Sequence, residues 1–203
     1  MGFISIVAGP RGSGKTSFCE ALAARLSRSG VRVSGFLQKS ERDASGLPQR
    51  LYAFSLGSGE SRSLAAREGS GPFEFSTETF RWMEDGLALA SRSRRDIIIV
   101  DEVGPLEILE GKGLRPVLDM LIRRGSNPLV VSLRPSLVEP FEAILSGPGG
   151  RRREDRIWRV ESPLEAAQEA ERAAEEIICH CQGLNVGRIV VPQDIKNGGS
   201  EIP

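Results

Sequence analysis

The chain has 203 residues, with 27 Lys plus Arg against 27 Asp plus Glu. That length suits one α/β domain with its own core, and the charge balance excludes an overall field drawing the protein toward nucleic acid or an anionic membrane. No stretch approaches the roughly 20 apolar residues of a membrane span, the N-terminus lacks the pattern of a secretory signal, and Cys19, Cys179 and Cys181 cannot all pair, so a reducing cytoplasm is the expected setting.

In chain order, "FISIVA" is a short run rich in β-branched residues that ends at Gly9, as a buried parallel strand does. After the glycine loop, Phe18, Leu22 and Leu26 give one apolar helical face, which Ser29 and Gly30 stop. "VRVSGFLQ" and "QRLYAFSL" read as strands joined through the turn residues "DASGLP", a hairpin added beside the core. Phe80, Met83, Leu87 and Ala90 predict a helix from Ser76 to about Ser93.

"DIIIVDE" follows, and its four consecutive aliphatics call for a strand covered on both faces. "LRPVLDMLIRR" has helical period, "PLVVSL" is a second buried strand, and a short helix is expected around Pro140 to Leu145. "GPGGRRREDR" reads as a loop and "IWRV" as a last strand. The helix in "SPLEAAQEAERAAEEII" has its start written in: Ser162 to cap, Pro163 for the first turn, and Glu165 to complete a capping box. The expected organisation is one domain over residues 1–180 and a fraying tail over 181–203.

The chemistry begins at Gly9-x-x-x-x-Gly14-Lys15-Thr16. Glycines at 9, 12 and 14 let the backbone turn tightly and bring its N–H groups to phosphate oxygens, and the following helix adds its positive end. Gly9, Pro10, Arg11, Gly12, Ser13, Gly14, Lys15, Thr16 and Ser17 are therefore the expected nucleotide-binding residues, with Lys15 reaching the β- and γ-phosphates and the Thr16 hydroxyl placed for Mg²⁺. Asp101 and Glu102 end the "IIIV" strand, at the sheet edge where the loop sits. Asp101 is the expected second metal ligand, and Glu102 the base that orients and deprotonates a water.

Taken together, "GPRGSGKT", "SGFLQ" with "RLYAFSL", and "IIIVDEVGPLE" resemble the small nucleoside-triphosphatase family of the THEP1 type, over about residues 3–145. The resemblance is most specific at Asp101 to Glu107, and it puts Gly9 to Thr16 on the phosphates and Asp101 and Glu102 at the metal and water. It implies a P-loop three-layer α/β sandwich with a mostly parallel sheet. A small β extension is expected over residues 31–66. It also implies Mg²⁺-dependent hydrolysis of the β–γ bond of ATP and GTP, with other triphosphates as further candidates, by Lys15 and Glu102. No base-reading motif is visible, so base selectivity should be loose. Two other activities fit the same motifs: a small phosphotransferase, or a nucleotide-binding adaptor with slow hydrolysis.

The other polar residues each have two readings. Ser132 either senses the γ-phosphate or is a solvated strand end, and Arg134 either reaches phosphate or begins a turn. Arg42 and Arg50 flank the hairpin and align with family arginines that can stabilise phosphoryl charge. Glu107 falls on the family's second glutamate and, lying on the same loop as Glu102, is the alternative base. Arg151 to Arg153 form either a lid closing over an acceptor or a solvated loop. Cys179, His180 and Cys181 supply three ligands where a closed zinc site wants four, so no zinc is expected.

Overall fold

The computed structural model describes residues 2–93, 96–147 and 155–181. The strand β1 (Ile4–Ala8) leads through the glycine loop into α1 (Lys15–Arg28). Four strands follow with no helix between them: β2 (Val33–Arg42), β3 (Pro48–Ser55), β4 (Ser61–Ala66) and β5 (Glu74–Phe75). Then come α2 (Thr77–Ala90), β6 (Ile97–Val100), α3 (Pro105–Ile108), α4 (Arg115–Arg124), β7 (Leu129–Leu133), α5 (Val138–Leu145), β8 (Asp155–Arg159) and α6 (Pro163–Cys181).

One eight-stranded sheet runs in the order β5-β4-β3-β2-β6-β7-β1-β8. From β2 to β8 neighbouring strands are parallel, whereas β2, β3, β4 and β5 pair antiparallel. The division follows the connections: parallel partners need a crossover, which the helices provide, and the ribbon strands are joined by short turns. β6 shows why four aliphatics stand in a row. Ile98 and Val100 enter one core with Met83, Leu87, Leu118 and Phe141 from α2, α4 and α5. Ile97 and Ile99 enter the other, with Phe18, Leu22 and Leu26 of α1 and the alanines of α6. Strand side chains alternate in direction, so burial on both faces demands an unbroken apolar run. Each such residue stabilises the fold by about 1.5–3 kcal/mol.

Gly35 lets β2 lie against β6, because its φ is +115° and a Cβ there would run into the Ile99 carbonyl. The extension reaches further than residue 66, since β5 adds Ala65↔Phe75 and Ala66↔Glu74 pairs to its edge. α3 was not expected; at four residues it has hardly more than one turn of periodicity to show. α5 begins at Val138, two residues before Pro140, after a 3-10 turn over Pro135–Leu137; Pro140 falls in its first turn, where a missing N–H costs nothing. The Ser162 hydroxyl accepts from the Glu165 N–H at 3.4 Å, as a cap does. Cys181 closes α6, so the helix runs one residue past the expected domain boundary. Arg151 to Arg153 and the rest of the tail lie outside the described residues. Among the described residues no helix is long and apolar enough to cross a membrane.

The turn between β2 and β3 is organised by Asp43. Its carboxylate accepts from the Ser45 hydroxyl at 2.6 Å, from the Ser45 and Leu47 N–H groups at 2.9 Å, and from the Gln49 amide at 2.7 Å. These bonds, the Ser45 hydroxyl first, lower its pKa from 3.8 to about 2. A depressed carboxylate contributes its stabilisation above the unfolded value and loses it as pH falls through the folded one. In an NMR titration the Ser45 and Leu47 amide shifts should therefore hold steady from neutral pH to below 3.8 and move together near about 2. A midpoint at the ordinary aspartate value would mean that the turn bonds are not formed in solution.

Candidate active site

Gly14 is the N-cap of α1, with φ +98°. The first turn of α1 carries no acidic residue, so nothing of its own neutralises the helix's positive end. A Cβ on Gly14 would meet Pro163 Cα at 2.8 Å, and one on Gly9 would meet the Val160 carbonyl and the Ser13 hydroxyl. Lys15 is buried, its Nζ donating to the Pro10 carbonyl at 3.0 Å and standing 4.0 Å from Glu102 Oε1. The loop thus curls around its own lysine. Arg11, Gly12, Gly14, Lys15, Thr16 and Ser17 line the cleft in front of it, while Ser13 turns its buried hydroxyl away from any partner.

The insertion of β7 between β1 and β6 brings the two halves of the site together. Its C-terminal end carries Ser132 to Asp101 and Arg134 to Glu102. Asp101, at 2% exposure, accepts from the Ser132 and Thr16 hydroxyls and from the Gln38 N–H at 3.3 Å. Burial pushes its carboxyl up from the ordinary value and these bonds pull it back. Ser132 is therefore fully buried and bonded rather than a solvated strand end. Arg134 Nε lies 3.2 Å from Glu102 Oε1. Glu102 is partly open to the cleft and meets only cations, Arg134 and Lys15, among the described residues.

Glu107 is placed differently from the expectation of a second base on a shared loop. It belongs to α3, is 5% exposed, and its two oxygens accept the N–H groups of Gly104 at 2.9 Å and Leu114 at 3.4 Å. Burial raises its pKa, with those backbone bonds opposing the rise. A carboxylate bonded to two backbone donors braces the chain, and Glu107 does so while lining the cleft. Arg42 lines the cleft, whereas Arg50 is exposed and sits 3.8 Å from Glu41. The described residues contain no cluster of three metal-ligating side chains, and His180 packs edge-on against Phe3 at 4.8 Å. Gln38 and Pro163 were missed. Gln38 ends "SGFLQ", a strand whose parallel neighbours share its carboxyl edge, and that was its available signal.

The whole cleft measures about 620 Å³. It joins a backbone cradle at a helix start, a buried lysine, a hydroxyl–carboxylate pair and a partly open glutamate. A family model described as NTPase matches residues 5–147. The chain belongs to this NTPase family. It is similar to two proteins named nucleoside-triphosphatase THEP1. The one from Pyrococcus abyssi is 28% identical over 148 residues, covering 68% of this chain and 78% of that one. The one from Thermococcus kodakarensis is 27% identical over 146 residues, covering 68% and 79%. The crystal structure of THEP1 from Aquifex aeolicus shares the P-loop fold, with a TM-score of 0.62 at 18% identity over 85% of this chain and 98% of that one.

Because Gly14 needs a left-handed φ and faces Pro163, Gly14→Ala should deform the cradle. The left-handed conformation alone costs a side chain about 1–2 kcal/mol, so binding of a fluorescent ADP analogue should weaken roughly tenfold or more. Wild-type affinity in that variant would show that the loop does not hold the nucleotide.

Proposed function

We propose that the chain is a Mg²⁺-dependent triphosphatase of the cytoplasm that cleaves the β–γ bond of ATP, GTP and other nucleoside triphosphates with water as acceptor. The observation that carries this reading is Glu102, a partly open carboxylate held by two cations across the cleft from the glycine loop. The nucleoside-triphosphatase names of the relatives support it.

In this mechanism the backbone N–H groups of Arg11, Gly12 and Gly14 to Ser17 and the Lys15 ammonium hold the β- and γ-phosphates. The Thr16 hydroxyl and Asp101 carboxylate, already hydrogen-bonded to each other, form an all-oxygen donor set of the kind hard cations take, which is the fit to Mg²⁺. Bound there, Mg²⁺ supplies charge neutralisation on the phosphates. Ser132 and the Gln38 N–H keep Asp101 aimed. Arg134 holds Glu102 in position, and Glu102 takes the proton of a water whose oxygen bonds to the γ-phosphorus. The bond from that phosphorus to the bridging oxygen breaks, giving nucleoside diphosphate and phosphate. With phosphate in place, Lys15 exchanges its bond to Pro10 for a stronger charge-assisted one.

Two substitutions separate holding from chemistry. Glu102→Gln keeps the shape and loses the base, so kcat for phosphate release from MgATP should fall by about 10²- to 10⁴-fold while nucleotide affinity stays within a few-fold. Hydrolysis at the wild-type rate would place the base elsewhere. Lys15→Ala, by contrast, removes a contact to the phosphates themselves, and both affinity and turnover should drop. Calorimetry alongside a phosphate-release assay with ATP, GTP, CTP and UTP reads both effects and the base preference together.

A further inference from the structure

The cleft continues past the two glutamates, and there its wall changes character. Leu51, Leu64, Phe73, Phe75, Phe80 and Met83 line this part, contributed by the antiparallel ribbon and α2. The Phe75 ring lies 6.4 Å from that of Phe73 and 5.7 Å from that of Phe80, so the three make one aromatic wall. Two guanidiniums stand at its rim. Arg42 is the ladder partner of Pro48, and Arg67 Nε donates to the Pro48 carbonyl at 2.6 Å while its guanidinium lies 4.5 Å over the Phe73 ring. Among the described residues neither arginine makes a salt bridge.

Sheet order says which molecule can reach this chamber. From one edge to the other the cleft meets Pro163 and the glycine loop beside β1, then Asp101 and Glu102 after β6, then the ribbon beyond β2. If Glu102 marks the γ-phosphate end, the rest of the nucleotide runs back over the loop toward Pro163, away from the phenylalanines. The inference rests on that part of the proposed function. We propose that the chamber binds a second small molecule, one with a planar aromatic ring carrying an acidic group, beside the bound nucleotide. Its ring lies against Phe73, Phe75 and Phe80, where offset and edge-on contacts are favourable, and its acid meets Arg42 and Arg67.

The test titrates the full chain with 1-anilinonaphthalene-8-sulfonate, a fluorescent aromatic system carrying one sulfonate, alone and with saturating MgADP. Expected is saturable one-to-one binding that persists in MgADP. The Phe73→Ala/Phe75→Ala double variant should weaken the dye about tenfold at an unchanged unfolding temperature. Arg42→Gln, at an exposed position whose guanidinium donates to the Gly46 carbonyl at 2.7 Å, should weaken it severalfold and more at low salt than at high. Displacement of the dye by MgADP would make the chamber the nucleobase site and overturn the proposal. So would an absence of saturable binding, or a dye affinity untouched by both variants. Phosphate release from MgATP, followed separately, reports on hydrolysis alone: a protein that binds dye and MgADP together yet releases no phosphate would sink the hydrolytic reading and leave the second site standing.

Discussion

A carboxylate with 2% of its surface exposed organises this molecule. Asp101 has given up its water, and a charged group in that condition is tolerated only when donors replace the lost hydration. The replacements come from three other elements: Ser132 of β7, Thr16 of α1 and the Gln38 N–H of β2. The parallel registers make this possible, since Val100 is level with Val131 on one side and with Phe36 on the other. Ser132 then lies one residue past Val131 and Gln38 two past Phe36, while Thr16 comes from the first turn of α1. Satisfying one buried charge thus fixes the carboxyl edges of β2, β6 and β7 relative to the start of α1, and the phosphate loop is aligned with the acidic pair by the same bonds.

Glu102 and Glu107 show how environment divides labour between like residues five positions apart. Backbone N–H groups hold both oxygens of Glu107, tying the chain after β6 to the start of α4. Backbone donors cannot leave, so that carboxylate is structural for as long as the fold lasts. Among the described residues the ion-pair partners of Glu102 are the side-chain cations Arg134 and Lys15. Side-chain partners can move, so Glu102 is the freer of the two carboxylates. The difference that matters for reactivity is not exposure by itself; it is whether the partners are able to move.

Which parts were legible in the sequence follows from the same physics. β6 was readable because burial on both faces leaves no room for a polar residue in "IIIV", and the glycine loop because Gly12 and Gly14 take left-handed φ values. β4, β5 and α3 were not, since these short elements show neither an unbroken apolar run nor enough of a period; β5 exists because Ala65 and Ala66 offer it a ladder. Ser132 and Arg134 were ambiguous for another reason. Their surroundings depend on β7 lying between β1 and β6, and that neighbour relation is set by crossovers the linear order does not reveal.

The glycines of the loop carry a second constraint that the motif alone does not display. Close approach of phosphate explains why the backbone must be bare on the cleft side. The loop is also pressed by residues outside the span matched by the family model: the Val160 carbonyl occupies the place of a Gly9 Cβ, Pro163 that of a Gly14 Cβ, and the Val160 N–H donates to the Ala8 carbonyl at 2.8 Å. Behind them Ala166, Ala170, Ala173 and Ala174 are buried in the core that also takes Phe18, Leu22 and Leu26 of α1, small side chains that let the two helices lie close. A bulkier residue on that face of α6 would push the helix away and remove the wall against which the loop is shaped. The C-terminal segment is for this reason part of what shapes the glycine loop.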